Sequence, residues 1–227
     1  QKMASLEKSE GWWTAICKLD VDGDGDMDYL VGNAGLNSQI KASATEPVEL
    51  FNSDFNNDGK LDPILCYYIQ GKSYPMHSRD ELLSQMNQLN KKFSSYASYA
   101  DATIENVIDQ KSMDKTLKLS AYIMESCWIE NVDGNLILKK LPDLAQFSCV
   151  NAFIHSDFNA DGKKEIIAAG NFYPYKPQIV MNDASMGSML QYSNHELTVA
   201  PELLSPLWLY GDIRDMALLS FKNGKKL

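Results

Sequence analysis

The sequence predicts a mainly β chain of repeated hairpins, with a small helical subdomain inserted between them. Three observations carry that prediction. An acidic stretch with fixed spacing recurs three times, each copy is bracketed by short apolar runs, and only the segment 78–117 shows helical periodicity.

The acidic stretches organise the rest. The first is Asp20, Asp22, Asp24, Asp26 and Asp28; the second is Asp54, Asn56, Asp58, Lys60 and Asp62; the third is Asp157, Asn159, Asp161, Lys163 and Glu165. Each copy sets oxygen side chains at loop positions 1, 3, 5 and 9 and a glycine at position 6. Calcium takes six to eight oxygens at ~2.3–2.6 Å, and a tight loop with a glycine bend turns alternate side chains inward. Position 7 (Asp26, Lys60, Lys163) varies in charge, as expected where only its backbone carbonyl is a ligand. The expected cofactor is Ca²⁺ at about three sites.

Asp, Asn and Gly clusters also make ordinary turns, and Asp133-Gly134 is read as one of these. The recurrence of identical offsets favours metal. So does charge, because five aspartates within the nine residues of the first loop repel one another unless a cation lies among them.

An EF-hand is excluded. Its loop closes with a bidentate Glu at position 12, where this chain has Val31, Leu65 and Ala168. The loops run on into Tyr29-Leu30-Val31, Ile64 to Ile69 and Ile166 to Ala169, and are preceded by Thr14 to Leu19, Val48 to Asn52 and Cys149 to His155. Short β-branched and aromatic runs bounded by turn residues are strands. The unit is strand, acidic loop, strand.

These hairpins resemble FG-GAP/VCBS repeats, the blades of integrin-α-like β-propellers. Leu61-Asp62-Pro63-Ile64-Leu65 and Tyr74 to Leu82 further resemble exported VCBS proteins of the ASPIC/UnbV type. The Phe-Gly and Gly-Ala-Pro cages of the repeat are absent; Gly32-Asn33-Ala34-Gly35 and Gly170-Asn171-Phe172 stand in their place. The resemblance implies a partial β-propeller of three to four blades. Loop starts at 20, 54 and 157, with a degenerate fourth at 212, suit blades of ~40–50 residues apart from one long gap. An unclosed arc leaves a free sheet edge, so partners include the remaining blades of a larger propeller or a second copy through open edges.

In order, Trp12 and Trp13 open the first strand, and residues 12–77 hold the first blades with two loops. Residues 78–117 form the helical insertion. Ser78 with Glu81 is a capping box, Leu82, Met86, Leu89 and Phe93 follow at helical spacing, and Thr103 and Ser112 cap two further helices. Residues 118–221 return to strands. Leu119, Ala121, Ile123, Cys127 and Ile129 alternate on one face, Asp133-Gly134 turns the chain back, and the third loop and the degenerate loop Gly211 to Met216 follow.

Composition sets bounds on partners and compartment. The 227 residues carry a formal net charge of −9, which three bound calcium ions would bring to about −3. No basic stripe is present, so nucleic acid is disfavoured, and Lys222, Lys225 and Lys226 are read as a solvated tail. No apolar run approaches the ~18–20 residues of a membrane span. Loops of extracellular affinity fill where calcium is near millimolar, each adding ~0.4–1.4 kcal/mol. The expected location is therefore extracytoplasmic: secreted, periplasmic or cell surface. Cys17, Cys66, Cys127 and Cys149 lie in apolar stretches and are read as buried thiols in preference to disulfides.

The function expected is a calcium-stabilised binding or adhesion module that recognises a protein or glycan. Its candidate contacts are Asn33, Asn37, Tyr74, His77, Arg79, Asn171, Tyr173 and Tyr175, amide, aromatic and charged groups on turn-rich segments. The alternative is a polysaccharide-acting enzyme or accessory domain on the same scaffold, by fold analogy. His77, His155 and His195 are scattered, with no partner motif and no nucleophile elbow. A purely structural role within a longer chain is the third reading.

Overall fold

The computed structural model describes residues 6–176, 181–200 and 207–219. Its strands are β1 (Ala15–Leu19), β2 (Asp28–Gly32), β3 (Val48–Asn52), β4 (Ile64–Ile69), β5 (Lys72–Pro75), β6 (Leu117–Ala121), β7 (Cys127–Val132), β8 (Asn135–Lys140), β9 (Val150–Ser156), β10 (Glu165–Gly170), β11 (Ser188–Ser193) and β12 (Glu196–Val199). They form three antiparallel sheets, ordered β1-β2-β7-β8, β5-β4-β3-β6 and β12-β11-β10-β9. The fold is mainly β. None of the three sheets closes into a barrel.

The chain divides into two compact units. One gathers Trp12–Gln39 with the chain from Met124 onward; the other holds Lys8–Gly11 and Ile40–Ile123. The second unit is thus inserted, in sequence, between β2 and β7, two strands that pair directly with Leu30 opposite Trp128. The first and third acidic loops belong to the first unit and the second loop to the inserted one.

In the first unit, alternation places Leu19, Leu30 and Trp128 on one face of the β1-β2-β7-β8 sheet. They share a core with Ile166, Leu190 and Leu197 of the β9–β12 sheet. Burying each such side chain is worth about 1.5–3 kcal/mol. Trp128 adds an edge-to-face contact with Tyr192, ring centroids 5.8 Å apart. The opposite face of the β9–β12 sheet carries Ile167 and Met189, against which Leu207, Leu209 and Met216 pack. The segment 207–219 contains no strand, so the fourth loop expected at 212 is not the tip of a hairpin. Its Asp212 instead pairs with Arg214 at 2.6 Å, and Arg214 lies over the Phe172 ring.

Close backbone approach explains the two Gly-Asn exits. A side chain on Gly32 would meet the Val150 carbonyl at 2.0 Å, and one on Gly170 would meet that of Cys149 at 1.8 Å. Only glycine fits there. The following asparagines are buried.

In the inserted unit, one face of the β3–β6 sheet is covered by helices. Phe51, Ile64 and Cys66 pack against Leu82, Met86, Phe93, Ile104 and Ile108. Helix α1 (Arg79–Gln85) starts at Ser78 with the expected capping box to Glu81, then tightens into a 3₁₀ turn, Asn87–Lys91. Helix α2 (Tyr96–Tyr99) starts from Ser95, and α3 (Ile104–Val107) from Thr103. Helix α4 (Gln110–Met113) is capped by Asp109, whose carboxylate accepts the Ser112 N–H; Ser112 lies inside the helix, not at its cap. Asp and Ser cap about equally well, and Asp109 is the one that stands at the extended residue.

Two other expectations change. The first strand starts at Ala15, after both tryptophans. The alternation from Leu119 to Ile129 splits: Leu119 lies on β6 of the inserted sheet and Ile129 on β7 of the first unit. Asp133 and Gly134 do make the β7–β8 turn, with φ of 52° and 86°, the left-handed pair a two-residue hairpin turn requires. The lysines at 222, 225 and 226 lie outside the described residues.

Candidate functional site

The three acidic loops join β1 to β2, β3 to β4 and β9 to β10, each pair antiparallel, the last with a register shift between Ala169 and Gly170, away from the loop. Four of their internal hydrogen bonds recur in every copy, while a fifth to position 1 comes from position 4 in the first loop and from position 5 in the other two. The position 1 carboxylate accepts the N–H of the position 6 glycine: Asp20 from Gly25 at 3.2 Å, Asp54 from Gly59 at 2.9 Å, Asp157 from Gly162 at 3.0 Å. Position 3 accepts from position 5: Asp22 from Asp24, Asn56 from Asp58, Asn159 from Asp161. Position 5 accepts from position 7: Asp24 from Asp26, Asp58 from Lys60, Asp161 from Lys163. Position 9 accepts from position 2: Asp28 from Val21, Asp62 from Phe55, Glu165 from Phe158, all at 2.8–2.9 Å.

Backbone sterics agree. Position 4 is left-handed in every loop (Gly23, Asn57 and Ala160, φ 80°, 60° and 63°), and so is position 6 (Gly25, Gly59 and Gly162). The left-handed bend at Ala160 has no glycine to ease it, so the loop's side-chain bonds hold it.

Burial separates the loop positions. The position 9 carboxylates are nearly inaccessible, Asp28 at 1 %, Asp62 at 2 % and Glu165 at 3 %, while positions 5 and 7 of the second and third loops face solvent. In the first loop Asp20, Asp22 and Asp28 each bring a carboxylate oxygen within 4.8 Å of the others, a group that could hold a metal ion. Burial pushes the Asp22, Asp28 and Asp62 carboxyls above the ordinary range, and the neighbouring loop aspartates push the same way. Hydrogen bonds from Val21 and Asn131 pull Asp28 back in part. Each loop is a concentration of negative charge held open by its own backbone N–H groups. A carboxylate offers about four lone-pair sites, so these bonds leave acceptors free.

The second loop is also tied to a helix. Asn56 Nδ2 donates to the Gln85 carbonyl at the end of α1 at 3.1 Å, and Gln85 Nε2 donates to the Pro63 carbonyl.

The candidate contact residues fall into separate groups. Tyr74, His77 and Arg79 belong to the inserted unit; Asn33, Asn37, Asn171, Tyr173 and Tyr175 belong to the first. Asn33 and Asn171 are 0 % and 1 % exposed. Asn171 Nδ2 donates to the Ser185 and Gly211 carbonyls and its Oδ1 accepts the Ser185 N–H, while Asn33 Oδ1 accepts the Ala34 N–H. Their amides hold backbone. Asn37 is exposed and donates to the Phe147 carbonyl. Tyr74 pairs with Tyr67 across β4 and β5, the His77 carbonyl accepts from Tyr99, and Arg79 bonds the Phe93 carbonyl and lies over the Tyr96 ring. Tyr173 is exposed, and Tyr175 is half-buried edge-on to Phe172.

His155 lies on β9, where burial and nearby Lys164 lower its pKa. His195 sits on the β11–β12 turn beside the Tyr192 hydroxyl. The four cysteines are free thiols, three of them buried. Among the described residues no helix is long and apolar enough to cross a membrane.

Sequence reasoning passed over Gln191, Tyr192 and Asn194, which line a cavity of about 630 Å³ between the first and third loops. The β-alternation of 188–193 and the turn that follows were the signal for a hairpin there; their nearness to the acidic loops is not encoded locally.

Comparison with family models, with curated proteins and with solved structures returns no match.

Proposed function

We propose that the three hairpin tips are calcium-binding loops of an FG-GAP/VCBS-like repeat protein, acting as a calcium-stabilised module that recognises a protein or glycan outside the cytoplasm. One observation carries this: the same frame of hydrogen bonds recurs in all three loops, with a buried carboxylate at position 9 each time. An ordinary turn needs no buried carboxylate. A bound cation would return the solvation that such an acid loses.

The donor set fits a hard ion. Every candidate ligand is oxygen, with no sulfur or imidazole among them, which suits calcium rather than zinc or copper. The ion would be held by the side chains at positions 1, 3, 5 and 9 and by the backbone carbonyls of Asp26, Lys60 and Lys163. Bound there, it supplies charge neutralisation and rigid hairpin tips, and the sheets present their other loops for recognition.

Calorimetric titration of the calcium-stripped protein tests the first half. About three equivalents and a stabilisation of ~0.4–1.4 kcal/mol per site near 1 mM calcium are expected, with Asp22→Ala losing one equivalent. No heat, and a melting temperature indifferent to calcium and chelator, would remove the proposal. A screen against glycans and matrix proteins tests the second half; binding to neither, with the loops loaded, would overturn it.

A further inference from the structure

We propose that cation binding at the second loop controls how firmly the helices are held on the inserted sheet, an inference that rests on the calcium reading above. The device is the Asn56 side chain. Its Oδ1 stands at loop position 3 and accepts the Asp58 N–H at 2.8 Å, while its Nδ2 donates out of the loop to the carbonyl of Gln85, the last residue of α1, at 3.1 Å. That carbonyl is one of those that a helix end leaves without an intrahelical partner. One carboxamide therefore joins the loop frame to the helix end.

Two further tethers run the same way. Gln85 Nε2 donates to the carbonyl of Pro63, the residue after the last loop acid. Phe55, at loop position 2, packs on the core that Leu82 and Met86 share with Phe51 and Ile64. Phe51 lies on β3 before the loop and Ile64 opens β4 after it, so the helix rests on both feet of the hairpin. The other loops lack the amide link. Position 3 of the first is Asp22, which has no side-chain N–H to give, and exposed Asn159 of the third donates to no acceptor among the described residues.

Occupancy acts on the tether through charge. Without a cation Asp54, Asp58 and Asp62 repel one another, and the Asn56 amide is shared between Gln85 and the Asp58 carboxylate, 3.3 Å away. A cation that draws in Asn56 Oδ1 and the Asp58 carboxylate fixes the amide plane and polarises its N–H toward the helix carbonyl. Such coupling is reciprocal, so the docked helix in turn favours the loaded loop.

Hydrogen exchange of the full chain tests this, read on residues 79–93 in chelator and in about 1 mM calcium, with calcium heat measured on the same samples. The N–H groups of Leu82, Met86, Leu89 and Phe93 are all hydrogen-bonded in that stretch. Calcium is expected to slow their exchange about three- to tenfold, the worth of roughly one neutral hydrogen bond. Asn56→Asp keeps an oxygen at position 3, as the first loop does with Asp22, and loses the donor; it is expected to retain the calcium heat and lose the slowing. Gln85→Ala, which keeps the backbone carbonyl, is expected to lose part of it. Asn159→Asp is expected to leave both readouts at wild type. Exchange across β9 and β10 is expected to match wild type in the Asn56 and Gln85 variants, which shows them folded. Equal slowing in wild type and Asn56→Asp, or no slowing in wild-type protein that binds calcium, would overturn the coupling and leave the calcium loops standing. Absence of calcium heat would remove both.

Discussion

Asp28, the last acid of the first loop, accepts a hydrogen bond from the backbone N–H of Asn131 at 2.8 Å, across 103 residues of chain. Its other oxygen accepts from Val21 within the loop. One buried carboxylate therefore binds the hairpin tip to β7, the strand that resumes the first sheet after the inserted unit.

Asp28→Ala would leave both N–H groups without their acceptor, at about 1–3 kcal/mol each where buried. A loss of ~2–4 kcal/mol is expected in urea unfolding. Asp24→Ala, at an exposed position, should cost less than ~1 kcal/mol. Equal losses in the two variants would mean that Asp28 does not join loop to sheet.

The elevated carboxyl pKa of Asp62 has a definite sign. The folded loop keeps its proton to a higher pH than the unfolded chain, whose carboxyl ionises near 3.8. In calcium-stripped protein the contribution is present below pH 3.8 and is lost as pH rises through the folded value. The stability difference between wild type and Asp62→Asn should shift against wild type over that window. On the calcium-binding function proposed above, added calcium should reverse the trend, since a cation would favour the ionised loop. A pH-independent difference would contradict this.

Burial pushes the thiols of Cys66 and Cys127 up to about 12, against 9.0 for a free thiol. Both stay protonated in the folded protein while the unfolded chain ionises, so stability is full below pH 9 and declines as pH climbs toward 12. Alkylation at pH 8 should label Cys17, the half-exposed thiol, well before the other three. Labelling of Cys66 at the rate of Cys17 would show that the helices do not seal the inserted core.

Ala160 holds φ of 63° where the first loop has Gly23. The left-handed conformation costs an L-residue roughly 1–2 kcal/mol, and glycine's extra chain entropy takes back up to ~1 kcal/mol. Ala160→Gly should therefore stabilise the third hairpin by up to ~1 kcal/mol. Gly23→Ala should destabilise the first by a like amount. Denaturant midpoints decide it, and a loss of stability in Ala160→Gly would contradict the strain.

Local chemistry was legible. The hairpin tips close through bonds between residues two to seven apart, so position 9 reaches position 2 whatever surrounds the loop. Ser78 and Glu81 likewise make their box three residues apart. The cap of α4 was misplaced because Asp109 and Ser112 are both good caps three residues apart, and choosing between them depends on where the backbone leaves the extended region. The burial of Asn33 and Asn171 was illegible for another reason. An asparagine after glycine suits an exposed turn equally well, and only distant partners such as Gly211 show that it holds the interior.

By itself the sequence determined the strand–loop–strand units, their acidic tips and the capped helix at residue 78, because each is settled within about ten residues. Only the tertiary structure decided that β2 pairs with β7, that a whole sheet with its helices intervenes between them, and that the first and third loops share a cleft. Alternating apolar residues specify that a strand has a buried face and leave its partner open. Which strand arrives is a matter of packing among Leu30, Trp128 and Ile166, and no window of the sequence contains all three.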